Sequence, residues 1–208
     1  LGSSGQLGDG TAVTKSSPVQ VGNSSWTAVS AGGAFTSAIR SDSLLFSWGK
    51  NTTVGTLGDG TLTNRSSPVQ VNSSISFQIL SSRMSSSLHA GAIATNNILY
   101  TWGKNDVGQL GRQSNLSSPV QIGIKSWNKN DAGSLHTAAI RSDGLLFIWG
   151  HNQYGQLGDG TIVSKSSPVQ IGSSSWTAVS AGGSFTVAIR SDGLLFSWGL
   201  NNSGQLGD

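Results

Sequence analysis

A unit of roughly 50 residues occurs four times along this 208-residue chain, and no other feature restricts its fold so strongly. Each unit contains an apolar run that ends in tryptophan and glycine, and these tryptophans are Trp48, Trp102, Trp149 and Trp198. The segment SSPVQ recurs with prolines at Pro18, Pro68, Pro119 and Pro168. Residues 158–199 nearly copy residues 8–49. Repetition at this length predicts an array of similar small units that pack on one another.

Each unit is predicted to be all-β. Runs such as FTSAIR from Phe35 and LLFSWG from Leu44 are short and rich in β-branched and aromatic residues, and SPVQVG supplies a further run. The segment SDG at 142–144 and its counterparts predict two-residue hairpin turns. Side chains alternate along a strand, so LLFSWG places apolar residues on both faces of its sheet. Such small sheets must stack on their neighbours, and radial stacking makes a propeller.

The segment SAGGSFTVAIRSDGLLFSWGLNNSGQLGD at 180–208 resembles the regulator of chromosome condensation repeat, in its bacterial and viral versions particularly. The resemblance covers essentially the whole chain. It implies a β-propeller of four-stranded antiparallel blades, of which that family usually has seven in a ring. We therefore expect residues 1–208 to form a single propeller region of four repeats that belongs to a larger ring.

The motif GQLG, or its variant GTLG, occurs five times, whereas the tryptophan and proline motifs occur four times each. A closed ring needs equal numbers of every strand, so the fifth copy is surplus for a self-contained four-bladed wheel. We expect the chain ends to fall within blades of a longer array. The alternative is that two copies associate, each lending its terminal strand to the other.

Composition excludes several classes of site. Charged residues make up 10% of the chain, its net charge is +3, and its lysines and arginines form no run, which argues against nucleic acid as the partner. There is no cysteine, which excludes disulfides and thiolate metal sites. No stretch approaches the roughly 18 apolar residues of a membrane span. Seven tryptophans and 36% hydrophobic residues can still build a packed interior.

Candidate catalytic and metal-binding residues have a simpler structural interpretation. His89 and His136 occupy the slot that holds Phe35 and Phe185 in the other repeats, and a slot that accepts either residue is a packing position. The LGDGT loops, such as 57–61, offer one carboxylate each, which is too few for calcium. We expect their glycines to allow a sharp bend and each aspartate to bond its own backbone. The sequence therefore predicts no enzyme, no cofactor and no metal.

Two sets of cations recur at repeated positions, and both are candidate binding residues. The first set, with Ala94 in the remaining slot, is Arg40, Arg141 and Arg190. The second set, with Leu116 in the remaining slot, is Lys15, Arg65 and Lys165. One hypothesis is a basic collar for an acidic partner. The alternative, which we favour, is a solvated rim in which each arginine lies near the aspartate two residues on.

Irregularities among such similar repeats are further candidates for a binding surface. The segment SSRMSSSLH at 81–89 has three extra residues, Arg83 and Met84 among them, and GRQSNLSSP at 111–119 is two residues shorter than its counterparts. The segment SWNKND at 126–131 contains the third candidate group, which is Asn128, Lys129 and Asn130. Insertions in repeat proteins often map to the binding face, whereas neutral drift in a redundant array is the alternative.

These observations favour a non-enzymatic protein-binding or structural module, whose partner is another protein or further copies of itself through the terminal strands. The resemblance and the low charge favour an extracellular, cell-surface or virion location. Two alternatives stay open, namely a regulator of a small GTPase that acts as a guanine-nucleotide exchange factor, and a self-assembling fibre component. A hydrolase in the central channel would need unique polar residues near the axis, and the sequence indicates a repetitive interior instead.

Overall fold

The structure, a computed structural model, describes residues 3–51, 53–81 and 88–207, and within these ranges the chain forms thirteen strands and no helix. The strands are β1 Trp26–Ala31, β2 Phe35–Arg40, β3 Leu45–Gly49, β4 Arg65–Gln70, β5 Phe77–Leu80, β6 His89–Ala94, β7 Ile98–Gly103, β8 Leu116–Ala132, β9 His136–Arg141, β10 Leu145–Gly150, β11 Lys165–Ala181, β12 Phe185–Arg190 and β13 Leu195–Gly199. No helix in the described part of the chain has the length and hydropathy that a membrane span requires.

The strands form successive antiparallel blades. Strands β1 to β4 make the first blade, and β5 to β13 form one nine-stranded sheet in chain order. This sheet is continuous because β8 and β11, of 17 residues each, belong to two blades. The first half of β8 pairs with β7, as in Tyr100 opposite Gln121, and its second half pairs with β9, as in Asn130 opposite Ala139. The second and third blades therefore have four strands each, and the prediction of four-stranded antiparallel blades is confirmed.

One predicted strand is wrong. The sequence predicts a strand at every SPVQ segment, but residues 15–20 form none, whereas the identical KSSPVQ at 165–170 begins β11. The later copies form strands because they bond to the third strand of the preceding repeat, as Arg65 does opposite Gly49. Residues 15–20 have no such partner strand in the described part of the chain.

The turn between the second and third strands of a blade also differs from the prediction. The Ser43 amide donates to the Arg40 carbonyl at 2.9 Å and the Arg40 amide donates to the Leu44 carbonyl at 2.9 Å, so the loop has three residues, 41–43. Only its last residue has positive φ, which is 68° at Ser43. This arrangement is a type I turn followed by a left-handed residue. A two-residue type I′ turn would instead force two residues, neither of them glycine here, into the left-handed region.

Replacing Ser43 with glycine is expected to stabilise the chain, because a non-glycine residue in the left-handed region is strained. The third and fourth repeats already have glycine at this position, as Gly144 and Gly193, with φ of 86° at both. We expect the free energy of unfolding to rise by about 0.5 kcal/mol in urea titrations followed by tryptophan fluorescence. Ser41→Gly is the matched control, because Ser41 lacks positive φ, and it should destabilise. Equal effects of the two substitutions would contradict this account of the turn.

The hydrophobic core lies in layers between successive blades. The layer between the first two blades contains Ile39, Leu45, Phe77, Leu80 and Trp102, all buried. A fully buried leucine or isoleucine side chain contributes roughly 1.5–3 kcal/mol. Because each inner blade gives one face to the layer before it and the other to the layer after it, the predicted two-faced sheets and their mutual stacking are confirmed.

The repeated GQLG loop holds the tryptophan of the next repeat. The Trp102 Nε1 donates to the Thr56 carbonyl at 3.0 Å, and a Cβ added at Gly58 would lie 2.7 Å from that nitrogen. Gly58 also has φ of 74°, so the loop needs glycine both for its conformation and for its close approach to the indole. The equivalent bonds, each 3.0 Å long, are Trp48 to Gln6, Trp149 to Gln109 and Trp198 to Gln156.

Candidate functional site

Both histidines in the phenylalanine slot lie buried between blades, which confirms their packing role. His89 Nε2 lies 2.9 Å from Thr137 Oγ1, and His136 Nε2 lies 3.0 Å from Thr186 Oγ1, each threonine belonging to the next blade. The Thr137 hydroxyl donates its only proton to the Gln109 carbonyl at 2.7 Å, so it accepts from the His89 Nε2–H. Burial lowers the pKa of His89 to about 3 and that of His136 to about 4. Both imidazoles are therefore neutral at pH 7.

The corresponding pair between the first and second blades is Phe35 and Ala90, and both are buried in the same layer. Where the slot holds histidine, the next blade supplies a threonine hydroxyl, and where it holds phenylalanine, the next blade supplies a methyl group. The two positions of each pair lie about one repeat apart in the sequence. Only the stacking of the blades shows that they belong to the same layer.

The LGDGT loops are organised by their own aspartates, as predicted. Asp59 Oδ1 accepts from the Thr61 amide at 3.0 Å and from the Thr61 hydroxyl at 2.8 Å. In the equivalent loop, the hydrogen bonds from the Thr11 hydroxyl and amide lower the pKa of Asp9. The second set of cations pairs with these carboxylates, in the ion pairs Lys15–Asp9 at 3.4 Å, Arg65–Asp59 at 2.9 Å and Lys165–Asp159 at 3.6 Å.

The first set of cations is also engaged within its own repeats. Arg40 Nη2 lies 2.7 Å from Asp42 Oδ2, its guanidinium lies 4.6 Å from the centroid of the Phe46 ring, and its hydrogen bond lowers the pKa of Asp42. The third and fourth blades repeat this arrangement, with ring distances of 4.8 Å for Arg141 over Phe147 and 4.7 Å for Arg190 over Phe196. The geometry therefore matches the alternative of a solvated rim of ion pairs.

The two sets of cations lie at opposite ends of the blades. Arg40 ends β2 beside the β2–β3 turn, whereas Arg65 begins β4 opposite Gly49, at the other end of β3. The two sets therefore cannot form a single basic collar.

The second blade breaks the arginine arrangement and has a pocket in its place. Ala94 stands where the other blades have arginine, Asn96 stands where they have aspartate, and Tyr100 replaces the phenylalanine. The pocket has a volume of about 310 Å³ and is lined by Ser74, Ile75, Ser76, Ala94, Thr95, Asn96 and Tyr100. In the described residues no cation lies over the Tyr100 ring, which contacts the Phe77 ring edge-on at a centroid distance of 5.8 Å.

The remaining candidates divide between surface and interior. Asn128 and Lys129 are exposed on β8, but Asn130 is only 5% exposed, and its Nδ2 donates to Ser81 Oγ of the second blade at 2.6 Å. Asn130 as a residue that contacts a partner is therefore a wrong prediction, because its amide is used between blades. Arg83 and Met84 lie outside the described residues.

A stack of four-stranded antiparallel blades defines the class of β-propeller proteins. The family model described as regulator of chromosome condensation (RCC1) repeat matches residues 96–140 and 143–189, and a second model with this description matches residues 176–205. Together these ranges cover just over half of the chain. The chain belongs to the RCC1-repeat family.

Several solved structures resemble the chain in fold. Human WBSCR16 is 20% identical with a TM-score of 0.85, over 100% of this chain and 57% of that one. Prp20p from Saccharomyces cerevisiae, described with its binding to Gsp1p and histones, is 24% identical with a TM-score of 0.74, over 88% of this chain and 46% of that one. The ectodomain of the receptor kinase CR4 from Physcomitrella patens is 21% identical with a TM-score of 0.57, over 87% of this chain and 42% of that one.

The chain thus spans about half the length of these proteins, and at such identities the likeness shows the fold. No curated protein matches the chain at the level of sequence.

Proposed function

We propose that this chain is a non-enzymatic, protein-binding propeller module at a cell or virion surface, and that the pocket beside Ala94 receives an arginine side chain of the partner protein. One observation carries the proposal. Three blades place a guanidinium 4.6–4.8 Å from the centroid of an aromatic ring, and the second blade keeps an aromatic ring there but has no cation over it in the described residues.

The pocket offers what a guanidinium needs. The Tyr100 ring supplies an aromatic face, and Ser74, Ser76 and Asn96 supply oxygen atoms that can accept hydrogen bonds around it. A cation over an aromatic ring contributes about 0.5–1 kcal/mol at an exposed site. The pocket is therefore one specific contact within a larger protein interface, where it selects partners that present an arginine at the right place.

The polar groups that could serve catalysis have structural tasks, which supports a binding role. His89 and His136 are buried and neutral in bonds between blades, and Asp59 is held by its own loop and by Arg65. Prp20p, which has this fold, is described as binding two protein partners. The surface location is supported by the low charge, by the near-identical repeats and by the ectodomain of CR4, which shares the fold.

The pocket can be tested with N-acetyl-arginine amide as the probe and N-acetyl-citrulline amide as its uncharged isostere. We expect the arginine compound to shift the amide resonances of Ser76, Thr95 and Asn96 in the NMR spectrum of the whole chain, with millimolar affinity or weaker. The citrulline compound should leave them in place. Equal shifts with both compounds, or shifts spread evenly over the surface, would count against the proposal.

Two matched variants sharpen this test. Ala94→Arg restores the arrangement of the other blades, so its own guanidinium should cover Tyr100 and abolish the shifts. Arg40→Ala opens the equivalent place over Phe46 and frees Asp42, so this variant should gain a second, tighter site in the first blade. If Ala94→Arg binds the probe as the unchanged chain does, the pocket is not the site. Cleavage of the protein by a protease that is added to intact cells or particles tests the surface location separately.

A further inference from the structure

In the loop between β7 and β8, an arginine stands where the other repeats have the aspartate of the LGDGT motif. Arg112 aligns with Asp59, and Leu116 aligns with Arg65, the cation that pairs with this aspartate. The Asp59 side chain is 1% exposed and lies between Arg65 Nε at 2.9 Å and Asn51 Nδ2 at 3.0 Å. The loop between β7 and β8 therefore has a cation but lacks the carboxylate that the equivalent loops place beside one.

The guanidinium of Arg112 has no ion-pair partner within the ranges that the structure describes. Its Nε is buried, and no described residue accepts a hydrogen bond from it. The other four described arginines each lie 2.9 Å or less from an aspartate oxygen, and they are Arg40, Arg65, Arg141 and Arg190. A buried donor without an acceptor is unfavourable, so a ligand that supplied an acceptor here would remove a cost.

Arg112 lines a pocket of about 380 Å³ between this loop and the start of β11. Gln113 of the same loop lines it too, together with Ser164 and Ser166 of the next repeat. Ser164 Oγ accepts from the Asn152 amide at 3.2 Å, so its hydroxyl hydrogen can be donated to a ligand. The pocket therefore offers a guanidinium, a side-chain amide and two hydroxyl groups as hydrogen-bond donors.

The backbone that carries Arg112 is held by Asn105. The Asn105 Nδ2 donates to the carbonyl of Arg112 at 2.6 Å and to that of Ser114 at 3.1 Å, and the Asn105 amide donates to Asn115 Oδ1 at 2.6 Å. None of these hydrogen bonds uses the Arg112 side chain. The loop is therefore expected to keep its shape when that side chain is replaced.

The charges around the pocket favour a ligand with a single negative charge. Asp106 is the one carboxylate among the described residues that line the pocket, and it pairs with Lys104 Nζ at 3.0 Å. Arg112 is left as one uncompensated cation. A carboxylate matches a single guanidinium in charge and in its two-oxygen geometry, whereas a doubly charged phosphate would meet Asp106 with one cation to offset it.

We propose that this pocket binds a carboxylate group, which a protein supplies from an acidic side chain or from its C-terminus. The carboxylate accepts hydrogen bonds from the Arg112 guanidinium, including the buried Nε–H, and from the serine hydroxyls of the next repeat. The pocket lies beyond the end of β7 at Gly103, whereas the pocket beside Ala94 lies at the turn before β7. The two sites are separate, and this inference is independent of the arginine pocket.

NMR titration of the whole chain tests the inference with three probes. N-acetyl-glutamate amide presents a side-chain carboxylate, N-acetyl-alanine presents a C-terminal carboxylate, and N-acetyl-glutamine amide is the uncharged isostere of the first. We expect a carboxylate probe to shift the Arg112 Nε–H resonance and the amides of Gln113 and Ser166, with affinity on the order of millimolar. The carboxylate that binds more tightly identifies the source. Shifts of equal size with the glutamine compound, no shift with either carboxylate, or tighter binding of inorganic phosphate would overturn the inference.

Three variants separate the pocket from general attraction to a positively charged chain. Arg112→Gln should weaken binding of the carboxylate by about tenfold or more, and Arg112→Lys, which keeps the charge but loses the planar fork, should have an intermediate affinity. Lys125→Gln is the matched control, because it removes the same charge from an exposed residue of β8, and it should bind as the unchanged chain does. Equal weakening by Arg112→Gln and Lys125→Gln would contradict the inference. Far-ultraviolet circular dichroism verifies that each variant is folded.

Discussion

Trp149→Ala is expected to lower the free energy of unfolding by about 3–5 kcal/mol, which is a large part of the stability of a domain of this size. Trp149 is fully buried in the layer that also holds Leu99 of the second blade and Trp127 of the third. Its Nε1 donates to the Gln109 carbonyl at 3.0 Å, so truncation loses a large apolar side chain and a hydrogen bond between repeats. Urea unfolding at equilibrium, followed by circular dichroism, measures the loss.

Trp198 is the matched control, because it makes the same bond, to the Gln156 carbonyl at 3.0 Å, but is only partly buried. Trp198→Ala should therefore cost clearly less than Trp149→Ala. Trp149→Phe keeps an aromatic ring and removes the bond, and we expect a loss of about 1–2 kcal/mol. Equal losses at Trp149 and Trp198 would mean that the layers between blades contribute little, which contradicts the packing described above.

The strands of the blades were predictable because the sequence of each repeat determines its local structure. Alternation in LLFSWG puts Leu45 on one face and Trp48 on the other, and the structure buries both side chains, Leu45 in the layer between the first two blades and Trp48 on the opposite face of its blade. The role of the LGDGT aspartates was equally local, since Asp59 bonds a residue two positions on. Features fixed by interactions within one repeat could thus be inferred without knowing how the repeats are arranged.

Features that depend on a neighbouring blade were not predictable in the same way. The segment at 15–20 has the same sequence as 165–170, yet only the later copy has a partner strand in the described residues. Asn130 was a candidate for contact with a partner, but its bond to Ser81 joins residues that lie 49 positions apart. Sequence identity between repeats therefore predicts local conformation better than it predicts surroundings.

The candidate pocket is hard to recognise in a sequence because it arises where Ala94 replaces the arginine of the other repeats. Ala94 was recognised as the exception to the recurring arginine, but its significance depends on the Tyr100 ring and on the cation–ring distances in the other blades. The informative signal was the simultaneous loss of arginine and aspartate in one repeat, at Ala94 and Asn96, with an aromatic residue retained.

Acid is expected to destabilise the chain through its buried histidines. His136 has an ordinary pKa of 6.5 when unfolded, and burial lowers its pKa to about 4 in the folded chain. Between these values the unfolded state binds more protons, so the contribution is fully present above 6.5 and is lost as the pH falls toward 4. The loss at about pH 4.5 should be on the order of 2 kcal/mol for His136 alone, with a further loss from His89, whose pKa is lowered to about 3.

The double variant His136→Phe with Thr186→Ala isolates this effect, because it reproduces the Phe35 and Ala90 pair that the chain already uses. Urea unfolding at about pH 7 and about pH 4.5 should show that the pH-dependent loss is smaller in the double variant by about 2 kcal/mol. Thr186→Ala alone keeps the imidazole and should keep most of the loss. Because arginine hydrogen bonds hold the pKa of carboxylates such as Asp42 below 3.8, these groups stay ionised at the lower pH and cannot account for the difference. An unchanged loss in the double variant would show that His136 is not the group that makes the folded chain acid-sensitive.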